Sequence, residues 1–182
     1  NKAYLSCRFG IVVLDLKKRE FADTYYIGAN ASEVYVLNTT VYDGYMYALT
    51  YTQASSTLKS YKLLRASLSS QNQWANFENW HEVSSLPAGI NDFQSIVSFS
   101  GSLFLLGDKQ LFRKVNNDQW EKFMTEQVLN INISGEKMFA ADEGFKTYII
   151  DKNLNKEIFD KLNLVFIGLF DEKSQLYWFA GG

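Results

Sequence analysis

Short apolar runs alternate with turn-forming residues along this chain, and the alternation itself repeats. Lys2–Cys7 and Gly10–Asp15 form one pair of runs, Gly44–Leu49 and Leu58–Leu63 a second, and Gly101–Leu106 and Gln110–Val115 a third. Gly135–Ala141 and Phe145–Ile150 make a fourth, and a fifth opens at Ser174–Phe179. The first run of a pair suits a strand packed on both faces, and the second alternates as a strand nearer solvent should. Further apolar runs precede the pairs at Val34–Val41, Phe93–Phe99, Val128–Ile133 and Leu164–Phe170. Polar segments marked by an aromatic residue follow them, as in Trp120–Phe123 and Glu157–Phe159.

Four antiparallel strands per unit, repeated, predict an all-β fold: a β-propeller arc of about four four-stranded antiparallel blades, a fragment of a larger propeller. Residues 1–182 then form one partial propeller domain, with blade units near 1–28, 33–84, 93–124, 128–161 and a partial 164–182. The turns at Gly44, Gly101, Gly135 and Ser174 lie 57, 34 and 39 residues apart. The long interval holds Ser67–Asn79, rich in Ser, Asn and Gln, which reads as an inserted outer loop. Three units look complete, the first lacks its innermost strand, and the last stops after its second. Exposed blade edges would make a homodimer possible. A β-sandwich fits less well, because the hairpin recurs in register.

Composition sharpens this reading. Phe, Tyr and Trp number 14, 11 and 4, and such residues favour pleated, half-buried surfaces. The single proline, Pro87, falls between runs. A net charge of −2, with only Lys17, Lys18 and Arg19 contiguous among the basic residues, argues against nucleic acid as a partner. No apolar stretch approaches the roughly 18 residues that span a bilayer, so membrane insertion is not expected. The chain does not start with methionine, and an exported protein whose signal peptide has been removed is the expectation.

Candidate chemistry is sparse. Cys7 is the only cysteine and His81 the only histidine, so neither a zinc cluster nor a Ser-His-Asp arrangement is expected. Asp43, Asp92, Asp108, Asp142, Glu143 and Asp171 could serve a propeller glycosidase, but their positions at turns have a simpler explanation in turn chemistry. Asp142-Glu143-Gly144 is too short for a calcium loop, and no metal or cofactor is expected. Among aromatic residues that could stack on a sugar ring, Tyr25, Tyr26, Trp74 and Trp80 are the candidates, with Trp120 and Trp178 behind them. Trp74 and Trp80 stand in or beside the polar insertion and are expected to be the most exposed.

The stretch from Tyr4 to Gly28 is more specific. It combines Tyr4-Leu5 with Phe9-Gly10-Ile11-Val12 and Asp15, then Glu20, Asp23-Thr24-Tyr25 and Ile27-Gly28. This wording resembles the N-terminal propeller of PorZ-type proteins of the Bacteroidetes over about 25 residues. The resemblance implies an accessory of the type IX secretion system, held in the periplasm or at the cell surface. Its partners would be other secretion-system proteins or surface lipopolysaccharide, and its function non-enzymatic binding and assembly. No ligand residues carry over from the resemblance. A carbohydrate-sensing propeller of a hybrid two-component regulator and a glycan-active propeller enzyme are the alternatives.

Overall fold

The computed structural model describes residues 2–29, 34–53, 55, 58–83, 85–116, 119–159 and 165–181. Leu164 and the expected unit limits at residues 1, 33, 84, 161 and 182 lie outside the described residues. Among the described residues every regular element is a β-strand except two short 3-10 segments, Leu68–Gln73 and Phe77–Asn79. The chain divides into two compact units, 1–96 and 97–182.

The strands form antiparallel meanders, each pairing with its neighbour in sequence. The first sheet holds β1 (Lys2–Cys7), β2 (Gly10–Asp15) and β3 (Glu20–Tyr25). The second holds β4 (Tyr35–Tyr42), β5 (Tyr45–Gln53), β6 (Lys59–Ser67) and the two-residue β7 (His81–Glu82). The third comprises β8 (Phe93–Phe99), β9 (Ser102–Gly107), β10 (Gln110–Asn116) and β11 (Gln119–Lys122). The fourth comprises β12 (Val128–Ser134), β13 (Lys137–Asp142), β14 (Thr147–Ile150) and β15 (Lys156–Phe159). β16 (Val165–Asp171) and β17 (Leu176–Gly181) make a two-stranded sheet.

Burial follows strand position. All six residues of β9 are buried, as are Met46–Thr50 of β5, Gly10–Val13 of β2 and Met138–Asp142 of β13. Side chains of a strand alternate between faces, so these strands are covered on both. In the first unit Ile11, Val13, Val36, Met46 and Ala48 share one core. In the second unit Phe104, Leu106, Leu111, Met138 and Ile150 share another. Each fully buried large apolar side chain contributes about 1.5–3 kcal/mol by leaving water.

Turn chemistry sets the registers. Asp43-Gly44, Ser100-Gly101 and Asp108-Lys109 all adopt positive φ at both positions, with Asp43 at 47° and Gly44 at 76°. Such paired left-handed residues make the tight two-residue turn whose twist matches the flanking strands. Three first strands, β4, β12 and β16, each slip register by one residue near their start, at Val36/Asn38, Val128/Asn130 and Val165/Ile167. Side chains near these slips bond from one sheet to the next. In the second unit the Asn132 amide donates to Gly168 O at 2.5 Å and accepts from Gly168 N at 2.9 Å. Ser134 Oγ accepts from Phe170 N at 3.0 Å. In the first unit Asn38 Oδ1 accepts from Ile96 N at 3.1 Å.

Gly10 opens β2 with φ at 143°, and a Cβ there would lie 2.1 Å from the Tyr25 carbonyl oxygen. Gly89 also has positive φ, at 77°, but faces open space. Gly10→Ala should therefore cost ~2 kcal/mol or more, against about 1 kcal/mol for Gly89→Ala. Urea denaturation midpoints measure both, and equal losses would remove the steric argument.

Candidate functional site

The aromatic residues expected to be most accessible are enclosed. Trp74 is 0% exposed and Trp80 6%, correcting the expectation that both face solvent. The insertion between β6 and β7 folds back as its two 3-10 segments, and its polar residues act as caps. Ser67 Oγ accepts from Ser69 N at 3.3 Å, and Asn76 Oδ1 accepts from Glu78 N at 3.1 Å. Asn79 Nδ2 donates to Gln73 O at 3.0 Å. That folding carries both indoles inward. Trp74 Nε1 donates to Ser67 O at 2.8 Å and Trp80 Nε1 to Trp74 O at 3.0 Å, which satisfies both buried donors. Tyr4, Tyr25 and Trp80 pack around Trp74 with ring centroids 5.7–5.9 Å away. Tyr25 is buried as well. Tyr26 alone of the four is open, 48% exposed, with the exposed Phe9 ring 6.2 Å away.

The second sheet instead displays a row of tyrosines on one face. Tyr35 pairs with Tyr51 across β4 and β5, and Tyr51 with Tyr61 across β5 and β6. The first two rings stack at 4.7 Å with planes 8° apart, and Tyr61 follows at 5.8 Å. Phe93 closes the row 5.4 Å from Tyr61. Cations cover it: the Arg8 guanidinium lies 5.1 Å from the Tyr35 ring and Lys59 Nζ 5.2 Å from Tyr51. Asp92 accepts from the Tyr61 hydroxyl and pairs with Lys59 at 3.4 Å. Burial pushes the Tyr61 phenol above its ordinary value, and the bond to Asp92 adds to this. The Tyr61 oxygen and Asp92 in turn hold the Lys59 ammonium above its usual range. The row escapes a linear reading, because its members are 16 and 10 residues apart and meet only through strand register.

The opposite face of the same sheet floors a cleft of about 300 Å³. Thr50 and Lys62 alternate with Tyr51 and Tyr61 and so point the other way. Ile27, Leu64 and Trp80 supply apolar walls. Lys62 and Glu82 pair at 2.7 Å on the rim. Stacking area beside fixed charges on one face, and a small apolar cleft on the other, equip this sheet for binding.

The carboxylates named as catalytic candidates have structural work. Asp43 and Asp108 sit in the tight turns described above. Asp171 accepts from Lys173 N at 3.0 Å, and Glu143 pairs with Lys109 at 2.6 Å. Asp142, 7% exposed, accepts from Lys146 N at 2.8 Å and from the Tyr148 hydroxyl at 3.1 Å. His81 is exposed on β7, opposite Arg65. Cys7 is half-buried on β1. Among the described residues, no group of three or more His, Cys, Asp or Glu is placed to hold a metal.

Burial raises Tyr25 to about 12, helped by Asp23, and raises Tyr148 to about 12, helped by Asp142. Both phenols keep their protons in the folded state past the ordinary value of 10.0. Their contribution to stability is therefore complete below pH 10 and is lost as pH rises from there towards 12. Phenolate absorbance should show at least these two tyrosines ionising late in the native protein, and one fewer in Tyr148→Phe. Ionisation of all tyrosines near pH 10 with native circular dichroism would contradict this.

Comparison with known proteins places this architecture. Residues 1–80 match the family model of the N-terminal β-propeller domain of PorZ of the type IX secretion system. The solved PorZ of Porphyromonas gingivalis, described as an essential bacterial surface component of that system, superposes with a TM-score of 0.74 at 18% identity. The match covers 99% of this chain and 22% of PorZ. YCF48, solved bound to a D1 peptide, superposes with a TM-score of 0.59 at 9% identity, covering 98% of this chain and 58% of that one. No curated protein matches by sequence.

Proposed function

We propose that this β-propeller chain, whose residues 1–80 match the PorZ N-terminal propeller model, is a binding and assembly module without catalytic activity. It serves a type IX secretion component exported to the periplasm or cell surface, and it contacts other secretion proteins or surface lipopolysaccharide. The match of residues 1–80 to the PorZ propeller carries this reading. The chain spans 22% of the PorZ polypeptide. We further propose one partial propeller domain over 1–182, with unit limits near those expected above.

Within it, the tyrosine row with Arg8, Lys59 and Asp92 is the contact surface, with Tyr26 and the Trp80-walled cleft as secondary positions. Aromatic rings beside charged groups suit both sugar rings and protein side chains. A peptide bound to the YCF48 structure supports the protein-binding option.

The double variant Tyr51→Ala/Lys59→Ala tests the assignment. Its melting temperature should stay within a few degrees of wild type, because both side chains are partly or fully exposed. Retention on immobilised lipopolysaccharide, or capture of secretion-system proteins from the same bacterium, should fall by about tenfold or more. Loss on one matrix alone identifies the ligand class. Unchanged retention on both would overturn the proposed surface.

A further inference from the structure

Strand register allows the second, third and fourth sheets to be compared position by position. Tyr45, Ser102 and Lys137 open β5, β9 and β13. Two residues on, Tyr47, Phe104 and Phe139 pair with Arg65, Arg113 and Ile149 of the third strands. These pair in turn with His81, Glu121 and Glu157 of the fourth strands. Side chains paired across strands share a face, so each set forms one row.

Arg65 and Arg113 thus hold equivalent positions, yet their surroundings differ. Arg113 is neutralised: its Nη1 lies 3.9 Å from Glu121, and its Nε donates to Ser102 Oγ at 3.2 Å. Around Arg65 those two partners are replaced by His81 and Tyr45. The guanidinium lies 4.6 Å from the Tyr45 ring centroid, and among the described residues it makes no ion pair. Glu82, next to His81, points to the opposite face and pairs with Lys62 there. Arg65 is half-buried, so its charge has given up part of its water without a carboxylate in return. Tyr45 covers one face of the guanidinium, which leaves the N–H edges to meet a planar two-oxygen acceptor.

We propose that Arg65, with Tyr45 and His81, receives an Asp or Glu side chain from an acidic segment of a partner protein. Glu121 is the reason to choose a carboxylate, since the equivalent arginine in the third sheet already holds one. His81 fills that position without negative charge, and its exposed ring can add an N–H donor. Tyr47 and Tyr51 are four residues, about 13 Å, apart along β5, so this site is separate from the tyrosine row. The inference rests on the reading of the chain as a binding module and adds the chemistry of one partner segment.

A fluorescein-labelled hexaglutamate peptide, titrated with residues 1–182 and followed by fluorescence anisotropy, provides the test. The wild-type chain should bind, and Arg65→Ala and His81→Glu should each weaken binding by about tenfold or more. His81→Glu supplies from within the carboxylate that the third sheet has, so it should block the site while circular dichroism stays native. Arg113→Ala removes the same charge from a position already filled and should change binding less than about twofold. No binding by the wild-type chain overturns the proposal. Equal loss with Arg113→Ala overturns it too and makes the attraction one of overall charge. Binding that survives His81→Glu has the same force. Displacement by inorganic phosphate at about a tenth of the acetate concentration required overturns the carboxylate and makes the ligand a phosphate. Tyr51 and Lys59 are unaltered throughout, so this inference and the tyrosine surface fail separately.

Discussion

Everything else in this fold depends on enclosing the second strand of each of the first four sheets from both sides. A sheet with one wet face alternates apolar and polar residues, whereas Ser102–Gly107 and Met46–Thr50 are buried without interruption. Met46 and Ala48 join the core shared with Ile11 and Val13, while Tyr47 and Leu49, on the other face, are equally closed to water. No sheet of this kind is stable alone. Each requires a neighbour on either side, and a series of face-to-face meanders is the arrangement that meets the demand.

This constraint also governs where recognition can sit. With the middle of the first four sheets committed to packing, accessible chemistry there is left to strand ends, turns and outer strands. The tyrosine row lies where β5 ends and β6 begins, held by backbone register rather than by a loop. Its rings need no reordering to present area, and their stacking at 4.7 Å limits their freedom beforehand. The insertion, in which Trp74 alone of the described residues is buried, serves a different end. Trp74 fills space that sheet residues leave beside Tyr4 and Tyr25, so a segment rich in polar residues contributes a side chain to the core.

The fold was largely legible because its signal is periodic. Runs such as Gly10–Asp15 and Gln110–Val115 announce strands by alternation, and Asp43-Gly44 announces a turn by the residues that tolerate positive φ. The expected β-propeller is what the structure and its comparisons show. The proposed contact surface was much less legible. Composition around Trp74 and Trp80 suggested exposure, but Ser67 and Asn76 are polar because they cap 3-10 turns, not because their neighbours face water. Tyr35, Tyr51 and Tyr61 carry no linear motif, and only pairing across three strands brings them together. Asp92 was noticed as a carboxylate, yet its partners Lys59 and Tyr61 lie more than thirty residues away.

The asparagine bonds between sheets have one more consequence. Asn132 engages both the N–H and the carbonyl of Gly168, and Asn38 an N–H of Ile96, so these amides address main chain only. A fastening that ignores the identity of the residue it grips places little demand on the facing sequence. Repeats joined in this way can be copied and then drift apart while the join survives. The blades of one molecule can consequently share a geometry long after their sequences have ceased to resemble one another.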